Sequence, residues 1–274
     1  MLKTMLSASP ELDFVDELFL ICPRWLHKDL QTNIREHVGD LRAPGALPKR
    51  LDLLYSGVPY GWFWSVVDEQ LDRELLESEL RTRDLDLRSI FDSIMAAHAA
   101  MRGKSGRGAK FPLHYSQVER LLEWFPDCKL VHTTRDPRAV YASQSVKYLQ
   151  KDDGPAKVVF EKFRQFVHIN IQSAWTARVH RRLAGLDNYR LLRYEDIVRD
   201  TEAEIRGLCE FLGVEMYDAM LKPHQYGSSF DAIGAATGVD ASSLERWRST
   251  IAPTTAVLIN LFQYGPRRTL GYAE

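Results

Sequence analysis

The sequence predicts an α/β fold, a parallel sheet flanked by helices, and three observations carry that expectation. Short apolar strands alternate along the chain with longer amphipathic stretches, the order of strand–helix–strand units rather than of hairpins. Residues 129–145, KLVHTTRDPRAVYASQS, read as a strand, a sharp basic turn and a helix. Residues 188–213 repeat that order, running from a strand into helices that stop at Gly213.

Each element has a local reason. Leu2, Met5 and Leu6 have helical spacing, and Ser9-Pro10 ends the pattern, so a short helix opens the chain. Residues 12–15 read as a strand with Asp16 and Glu17 at its end. Residues 19–101 are mostly helical, with breaks expected at Pro44-Gly45, Pro48 and Pro59; in 67–87, Leu71, Leu75, Leu76 and Leu80 form one apolar face. Val118, Leu121, Leu122 and Phe125 predict a helix over 115–125, turned by Phe125-Pro126-Asp127 into the strand at 129–134.

Asp136 is a good N-cap and Pro137 suits the first helical position, so a helix runs from there toward Tyr148. Asp152-Asp153-Gly154-Pro155 breaks it, and a long helix follows over 156–183. Phe160, Phe163, Val167, Ile171, Ala174 and Trp175 share one broad face of that helix, and Arg178, His180, Arg181 and Arg182 fill its last turn, as the dipole prefers. After the strand at 188–193, Thr201 and Glu204 form a capping box and Gly213 closes the helix. A last helix covers 253–264.

A chain of 274 residues can bury a sizeable core as one domain, and a formal net charge of −1 gives no overall pull toward nucleic acid or an anionic membrane. Any polyanion site must therefore be local. Cys22, Cys128 and Cys209 are odd in number, far apart and in no ligand spacing, which predicts a reducing, cytoplasmic setting and no disulfide framework. No metal is expected, because no His/Cys/Asp cluster has ligand spacing. No apolar run approaches the roughly 18 residues of a membrane span, and the first residues are too short in apolar content for a signal peptide.

The turn at 135–138 outlines an anion site. A strand that delivers arginine to a helix N-terminus offers free amides, a favourable dipole, and in Arg135 or Arg138 a fork suited to phosphate. Ser143 adds a hydroxyl from the following helix. The competing reading of such an arginine is a surface ion pair. Gly103–Lys110 contains a superficial GKS, but a Walker A loop would need glycine at position 98, which is His.

Arg135-Asp136-Pro137-Arg138 with Ser143 eight residues beyond the first arginine resembles the 3′-phosphate-binding motif of sulfotransferases that use 3′-phosphoadenosine 5′-phosphosulfate. The resemblance implies a P-loop-NTPase-like sulfotransferase fold over 1–274, with 19–101 a mostly helical insertion shaping the acceptor site. It assigns Arg135 and Ser143 to the 3′-phosphate of the donor, and Arg138 joins the donor-binding residues through the fork it offers at the same turn. Arg193-Tyr194-Glu195-Asp196-Ile197-Val198 with the later Cys-Glu-Phe-Leu-Gly resembles the family's third segment, which places Tyr194 near the adenine and 3′-phosphate. Gly227-Ser228-Ser229-Phe230 and the later Leu244–Trp247 resemble its cofactor-closing loop, with Ser228 and Ser229 approaching the phosphosulfate.

MLSASPELDFVDE resembles the segment that ends in the general base of protein-tyrosine and some glycan sulfotransferases. The match is Glu17, with Asp16 beside it as a rival; either carboxylate could take the acceptor's proton, and the plain alternative is a strand end or helix cap. Lys110, in Ala109-Lys110-Phe111-Pro112, matches the lysine that lies beside the transferring group. Tyr60-Gly61-Trp62-Phe63-Trp64 either lines an acceptor pocket or fills core. The family's 5′-phosphosulfate loop, of the form G-X-X-R-S-G-T-T, is expected just before the first helix, and Met1 falls just after where that loop would end.

The implied activity is sulfuryl transfer from 3′-phosphoadenosine 5′-phosphosulfate to a hydroxyl or amine of a glycan, lipid, peptide or small-molecule acceptor, without nucleic acid as partner. Glu17, Lys110 and Ser228 are the implied catalytic residues; Arg135, Ser143, Arg138, Tyr194 and Ser229 the donor-binding ones. A chain without the donor loop would instead be a non-catalytic nucleotide-binding module. A P-loop kinase is disfavoured because neither a Walker A motif nor a magnesium-ligand pattern is present.

Overall fold

The computed structural model describes residues 1–16, 18, 42–55, 70–112, 114–148, 154–222 and 239–272. They fall into two compact units, Leu2–Pro126 and Asp127–Glu274. Each is built on a pair of parallel strands, as the alternation of strands and helices requires.

The first unit opens with helix α1 (Leu2–Ser7) and strand β1 (Leu12–Asp16), then helices α2 (Ala46–Tyr55), α3 (Arg73–Arg81) and α4 (Leu87–Met101), strand β2 (Gly106–Lys110), and α5 (Val118–Trp124) after a 3-10 turn at His114–Gln117. β1 and β2 pair in parallel from Leu12↔Gly106 to Asp16↔Lys110. β2 is an unusual strand in sequence, GRGAK, and its glycines have a packing reason. A Cβ on Gly108 would lie 2.6 Å from the Phe14 ring, so the side chain of β1 occupies the space that a larger residue would need. Val15, Leu51, Leu76, Leu80, Ile90 and Ile94 are buried together as the core. The alternation of β1 turns Asp13 as well as Val15 inward. Asp13 accepts from His98 Nδ1 and lies beside Arg102, so the buried carboxylate is paired rather than stranded.

Three local expectations change here. Of the face expected over 67–87, residues 70–86 are helical only over Arg73–Arg81, where Asp72 caps the start by accepting from the Leu75 amide at 2.9 Å. Pro48 does not break a helix. It sits in the first turn of α2, where its missing N–H has no intrahelical acceptor to lose. The helix expected over 115–125 begins as the 3-10 turn and becomes α-helical only at Val118.

The second unit begins with strand β3 (Leu130–Thr134) and helix α6 (Pro137–Tyr148), followed by the long α7 (Pro155–Leu183) and strand β4 (Tyr189–Arg193). Helices α8 (Tyr194–Arg199) and α9 (Thr201–Leu212) come next, then 3-10 turns at Asp218–Leu221 and Ala241–Leu244. α10 (Trp247–Thr250), α11 (Pro253–Phe262) and α12 (Tyr264–Thr269) complete it. The last helix is thus two, broken at Gln263, whose amide bonds back to Ile169 O and Asn170 Oδ1 on α7. β3 and β4 pair in parallel from Leu130↔Tyr189 to Thr134↔Arg193. Ala139, Ala142, Ile169, Trp247 and Ile259 form its buried core.

The cap of α9 is Asp200 rather than Thr201. The Asp200 carboxylate, one residue earlier, accepts from the Ala203 amide at 3.1 Å, while the Thr201 hydroxyl donates to Ile197 O at 2.8 Å. Gly213 ends α9 as expected, at φ 74°, the left-handed conformation that a side chain would disfavour. No helix among the described residues is long and apolar enough to cross a membrane.

Candidate nucleotide site

The parallel register of β3 and β4 builds this site. With Thr134 beside Arg193, the next residues along the two strands, Arg135 and Tyr194, also come side by side, followed by Asp136 and Glu195. The side chains bear this out. The Arg135 guanidinium lies over the Tyr194 ring, 4.3 Å from its centre, a cation–π contact. The Asp136 amide donates to Glu195 Oε1 at 2.9 Å.

A third residue closes the pair. Arg135 Nη2 donates to the Ser243 carbonyl at 3.1 Å. The Ser243 hydroxyl donates to Asp240 O at 2.6 Å, so the Tyr194 hydroxyl, 2.8 Å away, is the donor to Ser243 Oγ. Arg135, Tyr194 and Ser243 therefore hold one another in a fixed geometry. Arg135 Nε is buried and has no hydrogen-bond partner among the described residues, an unmet donor of the kind an anion would satisfy.

Asp136 behaves as the sequence predicts for a cap, accepting from the Arg138 amide at 2.8 Å. It also takes the Arg138 fork, with Nε 3.0 Å and 3.1 Å from its two carboxylate oxygens and Nη2 at 2.5 Å. Arg138 is further stacked 4.1 Å from the Trp247 ring. Its Nε and Nη2 are thereby turned to the cap, whereas Arg135 bonds no carboxylate among the described residues and gives Nη2 to a backbone carbonyl. Ser143 lies in α6, half-buried, and its hydroxyl has no hydrogen-bond partner among the described residues.

Glu195 ties the strand end to the chain's C-terminal turn. Its other oxygen accepts from the Tyr272 hydroxyl at 2.9 Å, and burial together with that carboxylate holds the Tyr272 phenol far above its ordinary range. Arg267 is buried nearby and donates to Asn260 Oδ1 at 2.8 Å. Burial, reinforced by Arg138, lowers the Arg267 pKa against the pull of Asp136.

The carboxylate and lysine of the first unit meet by the same logic. β1 and β2 end side by side, and Asp16 Oδ1 lies 2.9 Å from Lys110 Nζ, with Lys3 Nζ 3.6 Å from the other oxygen. Both residues are at the carboxyl ends of parallel strands, the edge at which open α/β sheets bind ligands. Glu17, Ser228, Ser229 and the aromatic run 60–64 lie outside the described residues. Ser243, Trp247, Glu195, Tyr272 and Arg267 were not singled out from sequence as site residues. Ser243 carries no local signal, whereas Glu195 and Trp247 stand inside motifs already noticed.

The arrangement defines a class, an α/β protein with an arginine beyond the ends of its parallel strands, and two solved structures share its fold. The fold matches the sulfotransferase domain from the curacin biosynthetic pathway, with a TM-score of 0.52 and 16% identity over 96% of this chain and 92% of that one. It also matches the sulfotransferase domain from the Synechococcus PCC 7002 olefin synthase, with a TM-score of 0.54 and 18% identity over 98% and 88%. The sulfotransferase family profile matches residues 1–218, and the chain belongs to that family.

Among curated relatives, omega-hydroxy-beta-dihydromenaquinone-9 sulfotransferase Stf3 of Mycobacterium tuberculosis is 28% identical over 159 residues, 56% of this chain and 39% of that protein. Human (Homo sapiens) carbohydrate sulfotransferase 6 is 36% identical over 104 residues, 32% and 25% of the two chains. The match spans about two-fifths of the length of the first of these and a quarter of the second.

Proposed function

We propose that this protein transfers a sulfuryl group from 3′-phosphoadenosine 5′-phosphosulfate to an acceptor hydroxyl or amine. The observation that carries the reading is the stack of Arg135 on Tyr194 with Arg135 Nε left unmet, since family resemblance assigns both residues to the donor nucleotide. Arg135 and Ser143 grip the 3′-phosphate, Tyr194 packs against the guanidinium near the adenine, and Arg138 both holds the Asp136 turn and offers its remaining N–H groups to the donor. Ser228 and Ser229 approach the phosphosulfate.

In the reaction the acceptor oxygen or nitrogen forms a bond to sulfur as the bond from sulfur to the 5′-phosphate oxygen breaks, releasing adenosine 3′,5′-bisphosphate. The acceptor's proton goes to a carboxylate at the end of β1, Glu17 or its neighbour Asp16. Lys110 stabilises the charge that develops on the leaving phosphate oxygen. The ion pair between Lys110 and Asp16 supports placing acid–base and charge-stabilising groups at this strand edge. The reaction needs no metal for these steps.

Residues 19–101 shape the acceptor site in this reading, within one sulfotransferase domain. The relatives are named for a hydroxylated dihydromenaquinone and for carbohydrate, so lipid and glycan alcohols are the first acceptors to test. The setting we propose is cytoplasmic and reducing. Cys128 and Cys209 are free, and burial pushes both thiols up, which keeps them protonated and unreactive.

Titration with adenosine 3′,5′-bisphosphate by calorimetry tests the nucleotide assignment without an acceptor. Two charge-assisted hydrogen bonds of about 1.5–3 kcal/mol each predict that Arg135→Ala weakens binding by at least about 100-fold. Unchanged affinity in that variant would overturn the reading. Transfer of labelled sulfate from the donor to a panel of lipid and glycan alcohols then tests turnover.

A further inference from the structure

The apolar face of α7 lies open. Ala156, Phe160, Phe163, Val167, Ile171 and Ala174, then Arg178, are all exposed and follow one another at helical spacing. A single amphipathic helix normally buries such a stripe against its own core. In this unit α7 instead gives its opposite side, including Gln165, Ile169 and Ala177, to the interior. α11 abuts the middle of α7, where the Phe262 ring meets the Phe166 ring edge-on at 5.5 Å. α11 adds Val257, Leu258 and Leu261 to the exposed apolar surface, and no charged residue occurs from Ile251 to Gly265.

The extent of this surface is what a dimer needs. Phe160, Phe163, Trp175 and Phe262 are each 48–66% exposed, so at about 200 Å² per aromatic side chain they present roughly 500 Å². With the exposed aliphatic residues the face reaches roughly 1,000 Å², beyond the 300–600 Å² of a typical monomer's largest patch and above the about 800 Å² that each partner of a stable complex buries. Aromatic enrichment is also the composition of an interface core.

The spacing of the stripe points to the occupant. From position 156 to 178 the steps are 4, 3, 4, 4, 3 and 4 residues, the same read in either direction, with Val167 at the centre. An antiparallel second copy of α7 turned about an axis through Val167 therefore sets Phe160 opposite Ala174 and Phe163 opposite Ile171. Large residues meet small or branched ones, and every stripe position finds a stripe position. A two-fold interface requires that self-complementarity, whereas a lipid surface does not.

We propose that this chain forms a two-fold dimer through the exposed faces of α7 and α11, with Val167 at the axis. The flanks of α7 are basic, with Lys157, Lys162, Arg164, Arg178, Arg181 and Arg182 against Glu161 alone. Two copies bring these like charges together at the rim, so the dimer tightens as salt screens them.

Sedimentation of the full chain at about 10 µM should give twice the chain mass, an association of micromolar strength or better. Phe163→Glu should weaken it by at least about 100-fold without changing the circular dichroism spectrum, because a buried unpaired carboxylate replaces an aromatic anchor. Val167→Cys should form an intermolecular disulfide under mild oxidation that the wild-type chain does not. A monomeric wild type, or a Phe163→Glu variant still dimeric, overturns the proposal. So does a monomer that co-sediments with vesicles of phosphatidylcholine and phosphatidylserine, an association that salt weakens and that would assign the face to an anionic membrane.

Discussion

Removing the Glu195 carboxylate tests whether the turn that carries Arg135 is held from β4. Glu195 is buried, and its two oxygens accept from the Asp136 amide and the Tyr272 hydroxyl, each at 2.9 Å. Glu195→Ala leaves both donors buried and unmet at about 1–3 kcal/mol apiece, so a loss of about 3–4 kcal/mol is expected for the unit of residues 127–274. Glu195→Gln should cost only about 1 kcal/mol. Its amide oxygen can still accept from Asp136, and its NH2 can donate to the Tyr272 oxygen. At about 2 kcal/mol per M, the alanine variant's urea transition should fall by roughly 1.5–2 M relative to wild type, and that of the glutamine variant by about a third as much. A double-mutant cycle with Tyr272→Phe should show coupling, since both changes act on one hydrogen bond. Calorimetry with adenosine 3′,5′-bisphosphate reads the functional consequence, weaker binding in Glu195→Ala as the Arg135 turn loosens. An alanine variant within about 1 kcal/mol of wild type, or a glutamine variant equally damaged, would refute the reasoning.

Acid should destabilise the protein well before its carboxylates protonate. Burial holds His114 and His132 down to about 4, against an unfolded value near 6.5, so both bind a proton more readily when unfolded. Their contribution is complete above about pH 6.5 and is lost as pH falls toward 4. Thermal melts across that range should drop steadily, and His132→Gln should flatten the fall for the second unit. Asp13 adds a later step. Burial alone would raise its carboxyl, but the His98 hydrogen bond and the charges of His98, Arg102 and Lys104 outweigh it and hold it low. Its stabilisation is therefore present above about pH 4 and lost below, and Asp13→Asn should remove that step while lowering stability at neutral pH. Lys110→Ala should reduce the sulfuryl transfer rate by about 100-fold or more while leaving adenosine 3′,5′-bisphosphate affinity within about threefold. A variant with unimpaired transfer would remove Lys110 from the chemistry.

What the sequence made legible was local. The Asp136 cap, Pro137 at the first helical position and the stop at Gly213 each depend on a few adjacent residues and are where the spacing predicts, and the long helix starts at Pro155, one residue before its expected start. The errors were of the same local kind. Pro48 is tolerated because it falls in a first turn, and Asp200 displaces Thr201 as cap because a carboxylate stands one residue earlier. β2 carries no strand signal in its composition, GRGAK. Leu12 and Phe14 on β1 fill the space that Gly106 and Gly108 leave.

Sequence alone determined the alternation of strands and helices, the family motif around Arg135 and Ser143, and the apolar stripe of α7, since each is written in neighbouring residues. Tertiary structure decided what those features touch. The β3–β4 register, a long-range choice, set Arg135 on Tyr194 and brought in Ser243, 108 positions away, while Asp136 drew Arg138 to the helix cap. It likewise left the α7 stripe open, because periodicity fixes which residues share a face, whereas only the packing of the rest of the chain fixes whether that face is covered.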